Sequence, residues 1–251
     1  MRKLLTALFS VLVYVFFLAV FLYAIGFVEN VLVPKTIDSG SGGEIVSSLP
    51  IDAGLLGLFA LQHSIMARPW FKRVWTRIVP QEIERSTFVL FASLALALVC
   101  WQWRPLPQTV WSVVDPIGSK ALLVVSWTGW VLVLLSTFLI SHFQLFGLSQ
   151  GLARLIGQTP PDPAFETPYL YRWLRHPIYA GFILAFWAAP HMSLGHLFFA
   201  VATTGYIFVG IWFEERDLIA HFGDRYRQYR ATVGMLVPRV RLTSSRKRIA
   251  Q

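Results

Sequence analysis

Charge is scarce in this chain. Only 14% of its 251 residues are Asp, Glu, Lys or Arg, while 55% are hydrophobic. A soluble domain carries about 25% charged residues, so the deficit and the long apolar runs exclude an ordinary water-soluble globule. They point instead to an all-α integral membrane protein. Cysteine is nearly absent: Cys100 stands alone inside an apolar run. That excludes an intrachain disulfide and a thiolate metal cluster, and leaves Cys100 as a packing residue. No glycine-rich dinucleotide fingerprint follows a strand and there is no P-loop, which removes a Rossmann-type cofactor domain. The histidines (His63, His142, His176, His191, His196, His221) include no pair at i, i+3 or i+4. No metal site is expected from that spacing.

What remains is an alternation of apolar runs and short basic segments. The net charge of +9 could suit nucleic acid. Its placement between apolar runs reads instead as membrane topology and attraction to anionic lipid, with no nucleic-acid partner. Leu4 to about Val28 predicts a retained span, longer than the apolar core of a signal peptide. Further spans are expected at about Ile51–Met66, Thr87–Trp103 and Ala121–Ser141. A hairpin rises over Pro177–Ala189, turns at Pro190–Ser193 and descends over Leu194–Phe213. About five to six transmembrane segments result, with a C-terminal helical hairpin and a basic, amphipathic cytoplasmic tail. Residues 1–141 hold about four spans, and residues 142–251 form a C-terminal core. Pro160, Pro161 and Pro163 break any helix in the polar link before the hairpin. The N-terminus, the 67–86 and 142–176 segments and the tail are basic, whereas 29–50 and 104–120 are not. Both termini are therefore expected on the cytoplasmic side.

The dense polar clusters all fall on that side: Gln62 and His63 with Arg68, then His142, then Arg175 and His176, then Glu214 and Glu215. Ionisable groups at membrane depth are costly, so four segments delivering them to one level constitute a candidate site. Interfacial anchoring is the plainer reading for an isolated arginine. Pro177 suits a first helical turn, which sets Arg175 and His176 at a helix N-terminus, a place that attracts anionic groups. Gly181 leaves a gap for a neighbouring helix or a ligand. Glu214 and Glu215 are expected at the end of the last span, where they would oppose the helix dipole unless something cationic compensates.

One ordered set of motifs goes further. Arg175-His176-Pro177-x-Tyr179-x-Gly181, Glu214-Glu215, Phe222-Gly223-Asp224-x-Tyr226-x-x-Tyr229 and Val237-Pro238-Arg239 resemble the C-terminal core of the isoprenylcysteine carboxyl methyltransferase superfamily. Gln62-His63-Ser64-x-Met66-Ala67-Arg68-Pro69, Glu84-Arg85-Ser86-Thr87, Trp101-Gln102-Trp103-Arg104-Pro105 and His142-Phe143-x-Leu145-Phe146-Gly147-Leu148 resemble, within it, the membrane-bound methanethiol S-methyltransferases, relatives of the NnrU-like proteins. The resemblance implies S-adenosylmethionine bound in a cytoplasm-facing pocket and a small thiol as acceptor: methanethiol, or hydrogen sulfide. It implies that Arg175, His176, Tyr179 and Gly181 line the cofactor pocket, that Glu214 or Glu215 meets the ribose or amino group, and that Tyr226 and Tyr229 fold the tail over it. Gln62, His63, Arg68, His142 and Phe146 are then expected to shape the acceptor pocket, with His63 or His142 as proton acceptor. The bilayer expected around such a chain is a bacterial inner membrane. Competing expectations are a lipid-like or isoprenylcysteine acceptor, and a non-enzymatic NnrU-like membrane protein.

Overall fold

A computed structural model describes residues 2–40, 42–158 and 167–239. The triple-proline link at 160–163 and the tail beyond 239 lie outside these residues. Among the described residues five helices are long and apolar enough to cross a membrane: α1 (Arg2–Glu29), α2 (Ile45–Ala67), α4 (Gln81–Gln102), α5 (Pro116–Ile140) and α9 (Leu194–Phe222), with the seven-residue α3 (Pro69–Trp75) between α2 and α4. The shorter apolar α8 (Pro177–Trp187) forms the rising arm of the hairpin with α9. Short helices α6 (His142–Leu145), α7 (Leu148–Ile156) and α10 (Asp224–Thr232) flank these spans. The molecule is an all-α integral membrane protein, and its α1 side chains Leu5, Leu12, Val15 and Leu22 stand exposed, as a hydrocarbon solvent requires.

Three spans, α2, α4 and α5, begin earlier than apolar content alone suggests. The α2 helix starts at Ile45, with the Ser47 and Ser48 amides on the Glu44 carbonyl. Pro50 falls in its second turn, where it deletes one bond near the end of the ladder rather than stopping the helix. At α5 the Asp115 carboxylate accepts the Gly118 amide at 2.6 Å and Pro116 takes the first helical position, a capped start. The hairpin turn is a small antiparallel ribbon, β1 (Thr109–Ser112) against β2 (His191–Ser193), rather than a bare loop.

Contacts between loops sort the bundle into two ends. At one end Asp52 accepts the Arg104 amide, Ser193 donates to Asp38 and β1 meets β2. At the other, Arg68 pairs with Asp217, Arg154 with Glu82 and Arg175 with Glu215, and Arg85 donates to the Leu145 carbonyl. Every polar cluster singled out in the sequence lies at this second end. The main core, with Phe27, Trp103, Trp130, Phe186 and Phe199, fills the first end. A separate cluster of Val13, Met66, Phe88 and Val89, with Phe17 and Phe146 against it, fills the second.

Helices α5 and α8 approach closely at two glycines. A side chain at Gly181 would put its Cβ 2.6 Å from the Gly129 carbonyl oxygen, and one at Gly129 would come 2.5 Å from that of Gly181. Two facing glycines let the backbones touch, so the gap at Gly181 is filled by α5.

Candidate active site

The Arg175–His176 turn is built by the returning tail. Leu174 bridges to Gly234, the Arg175 amide donates to the Gly234 carbonyl at 2.8 Å, and the His176 amide to the Met235 carbonyl at 3.1 Å. These two amides are therefore engaged, and the helix-start anion site expected there is not formed by them. The side chains turn inward: Arg175 is 8% exposed and His176 4%.

They converge on Glu215. Arg175 Nε donates to its Oε1 at 2.7 Å and His176 Nε2 lies 3.1 Å from the same oxygen. Arg230 Nε sits 3.2 Å from Oε2. Arg175 also donates through Nη1 to the Arg230 and Val233 carbonyls, at 3.1 and 2.6 Å. A buried carboxylate needs such a full set of donors, so Glu215 is the pin that fastens α8, α9 and α10 together. Glu214 differs. Its side chain is 45% exposed, with His176 Nδ1 at 3.7 Å and the Tyr179 hydroxyl close enough to feel its charge. The carboxylate pair thus splits into one locked group and one open group. Neither sits at a helix end, because α9 continues to Phe222; the expected clash with the helix dipole does not arise.

Tail tyrosines complete this cluster. Tyr226 is buried, and Tyr229 donates to the Tyr171 carbonyl at 2.5 Å, while Tyr171 reaches the Ser136 carbonyl of α5 at 3.5 Å. Burial pushes the Tyr229 phenol up to about 12, with Arg175 working against it. Burial first and the Glu214 charge second raise Tyr171. Both stay neutral donors at physiological pH.

The α2 residues meet α9 beside this cluster. Arg68 pairs with Asp217 at 3.0 Å and lies over the Phe213 ring. Ser64 bonds the Tyr206 hydroxyl at 3.2 Å, and His63 stacks on Phe59 and lies 5.0 Å from Phe88. Tyr206, Gly210, Phe213 and Asp217 fall at helical spacing on one stripe of α9, and the Tyr179 hydroxyl approaches Gly210. The His63 Nδ1 and Gln62 Oε1 atoms are buried with no hydrogen-bond partner, a condition that calls for a ligand or water.

His142 sits across the Phe88 cluster from His63. It packs on Phe146 at 4.9 Å and stacks on Phe138 at 4.2 Å, while Phe146 stacks on Phe17. Its ring nitrogens bond Tyr14 and Thr137, each at 2.8 Å. Burial holds its pKa below the ordinary histidine range, so it is neutral at pH 7. A cavity of about 620 Å³ at the other end of the bundle, by Lys35, Trp103 and Arg104, holds none of these residues.

The structure therefore gathers two neighbouring groups: Arg175, His176, Tyr179, Glu214, Glu215, Tyr226 and Tyr229 in one, and Gln62, His63, His142 and Phe146 around the second apolar cluster, while Arg68 sits on Asp217 and Phe213 of α9. Gly181 belongs to helix packing. Sequence reasoning missed Tyr14, Tyr206 and Arg230. The α9 stripe was a usable signal for Tyr206, since Gly210, Phe213 and Asp217 follow it at intervals of four, three and four. Tyr14 is a hydroxyl in the middle of an apolar span, which is itself a signal.

The chain is 55% identical over 236 residues to methanethiol S-methyltransferase 1 of Bradyrhizobium diazoefficiens, covering 94% of this chain and 83% of that one. It is 51% identical over 238 residues to the methanethiol S-methyltransferase of Mycobacterium tuberculosis, covering 95% and 98%. A more distant likeness joins it to human nurim, 30% identical over 187 residues and 69% of each chain. No family profile matches the sequence, and no solved structure does. At half identity over nearly the whole length, the chain belongs to the methanethiol S-methyltransferase family.

Proposed function

We propose that the protein is an S-adenosylmethionine-dependent methyltransferase that converts methanethiol to dimethyl sulfide at the cytoplasmic face of a bacterial inner membrane, with both termini on that side. The observation that carries this reading is the split carboxylate pair. Glu215 is consumed by two arginines and a histidine, so Glu214 is left open beside Tyr179. One unconsumed carboxylate suits the hydroxyl pair of a ribose or an amino group, and it disfavours the phosphates of a dinucleotide. A sulfonium nucleoside therefore fits the donor set.

Glu214 accepts hydrogen bonds from the nucleoside, with Tyr179 and His176 standing beside that carboxylate. Arg175 acts at one remove: it fixes Glu215 and the tail, and through them the cover over the site. Tyr226 and Tyr229 keep α10 seated. Bound S-adenosylmethionine supplies a methyl group on a cationic sulfur, and transfer to a thiolate annihilates charge, which a dry site favours. Phe17, Phe88 and Phe146 provide that dryness. His63 and Gln62, with their unpartnered buried atoms, are the polar groups that position the small acceptor. Holding acceptor and donor in line supplies the remainder of the acceleration.

The experiment is a headspace assay on detergent-purified protein with S-adenosylmethionine and methanethiol, read by gas chromatography, with cofactor binding followed by calorimetry. Cofactor-dependent dimethyl sulfide is the expected result. Binding without dimethyl sulfide would move the acceptor to a lipid-like or isoprenylcysteine group. Absence of both would leave a non-enzymatic membrane protein.

A further inference from the structure

The two bonds at His142 tie its tautomer to the Thr137 hydroxyl. Thr137 carries one hydroxyl proton, and the Leu134 carbonyl lies in position to accept it at 2.7 Å. With that proton on Leu134, the same oxygen can only accept from His142 Nδ1, 2.8 Å away. Nδ1 is then the protonated nitrogen. In a neutral imidazole Nε2 is then a lone-pair acceptor, and the Tyr14 hydroxyl at 2.8 Å is its donor. Tyr14 thus points its proton at His142 and leaves its oxygen lone pairs for another donor.

The surroundings say what that donor is. Phe138 and Phe143 pack on the His142 ring, at 4.2 and 5.3 Å, and are 53% and 48% exposed on the outside of the bundle. Phe143 also touches Tyr14. The pair lies behind aromatic rings that face the hydrocarbon layer, where a small apolar thiol partitions from water. Thr137 neighbours Ser136, whose carbonyl meets Tyr171, the residue that Tyr229 fastens. One end of α5 therefore links this pair to the cofactor cluster.

We propose that Tyr14 is a catalytic residue that takes the acceptor's proton, with His142 as the base behind it and Thr137 as the group that sets the tautomer. It rests on the thiol methyltransferase reading above. The thiol S–H bond breaks with its electron pair left on sulfur, and its proton goes to the Tyr14 oxygen. The original Tyr14 proton passes to His142 Nε2, giving an imidazolium. After transfer of the methyl group the imidazolium loses one proton to water, which restores the starting pair. No residue charged at rest, and no metal, is needed near the thiol, which suits a site at the membrane edge.

Tyr14→Phe tests this with the ring shape kept. Calorimetric affinity for S-adenosylmethionine stays at the wild-type value, while turnover with methanethiol at pH 7 falls about 100-fold or more, the ordinary worth of a positioned acid–base group. The loss shrinks as pH rises and the thiol ionises in solution, whereas the wild-type rate changes far less over the same range. Nitrogen-15 spectra of histidine-labelled wild-type protein give a readout independent of activity: His142 is protonated at Nδ1 and bare at Nε2. A proton found on Nε2 would overturn the proposal. So would a Tyr14→Phe variant as active as wild type at pH 7, most clearly if His63→Gln alone abolished turnover. A wild-type protein that methylates no thiol would overturn the underlying reading, and this proposal with it.

Discussion

At the scale of single residues, adjacent carboxylates have opposite duties. Glu215 is 5% exposed and held by Arg175, His176 and Arg230. Removing it strands a buried guanidinium, so Glu215→Ala should cost about 3–5 kcal/mol of stability, seen as a large fall in melting temperature with or without ligand. Glu214→Gln should melt like wild type, because the side chain is half exposed. It should weaken S-adenosylmethionine binding about tenfold or more, the usual worth of a hydrogen bond to a charged group. Equal melting losses in the two variants would mean that the pair is not divided. The sequence announced the Glu-Glu pair but not its division. Which carboxylate is consumed depends on Arg230 and on the carbonyls of Arg230 and Val233, which reach Arg175 only after the tail has folded back. His142 was legible as a polar residue at the end of a span, whereas its partner Tyr14 lies 128 residues away. No local pattern ties the two.

At the scale of elements, length and apolar content located every long span, and the capping residues explain where the boundaries moved. Asp115 and Pro116 start α5 upstream of the apolar run, and α9 runs on past the Glu pair to Phe222. That extension escaped the hydropathy pattern because Glu214–Asp217 looks like the water boundary. The helix continues because Glu215 is neutralised inward and Asp217 pairs with Arg68. The α5–α8 contact carries its own prediction. Gly181→Ala puts a methyl group 2.6 Å from the Gly129 carbonyl oxygen and 2.9 Å from the Val133 amide. Backbone cannot yield cheaply there, so about 1–3 kcal/mol of destabilisation is expected. Gly205→Ala in α9 meets nothing within 4 Å and should be neutral or slightly stabilising, since alanine favours the helix. Matched thermal melts of the two variants check the difference, and a neutral Gly181→Ala would refute the close packing.

At the scale of the whole molecule, polar chemistry and basic charge gather at one end, and the lipid-facing helices carry exposed leucines and valines. The alternation of basic and non-basic links made this division legible from the sequence. It did not reveal that the non-basic end closes on itself through β1 and β2, since three-residue and four-residue strands leave no periodicity to read. With the basic end cytoplasmic, Val114→Cys, at an 87% exposed position of the opposite end, should react in intact cells with a membrane-impermeant maleimide. Arg227→Cys on α10 should react only after lysis. The reverse pattern would invert the topology. The most direct measurement of all follows the methyl group itself. Purified protein is given S-adenosylmethionine carrying carbon-13 in its methyl group, with unlabelled methanethiol, and the headspace is weighed by mass spectrometry. Dimethyl sulfide with one labelled and one unlabelled methyl group is the predicted product. Unlabelled dimethyl sulfide, or label recovered only in lipid or protein, would contradict methyl transfer from this cofactor to this thiol.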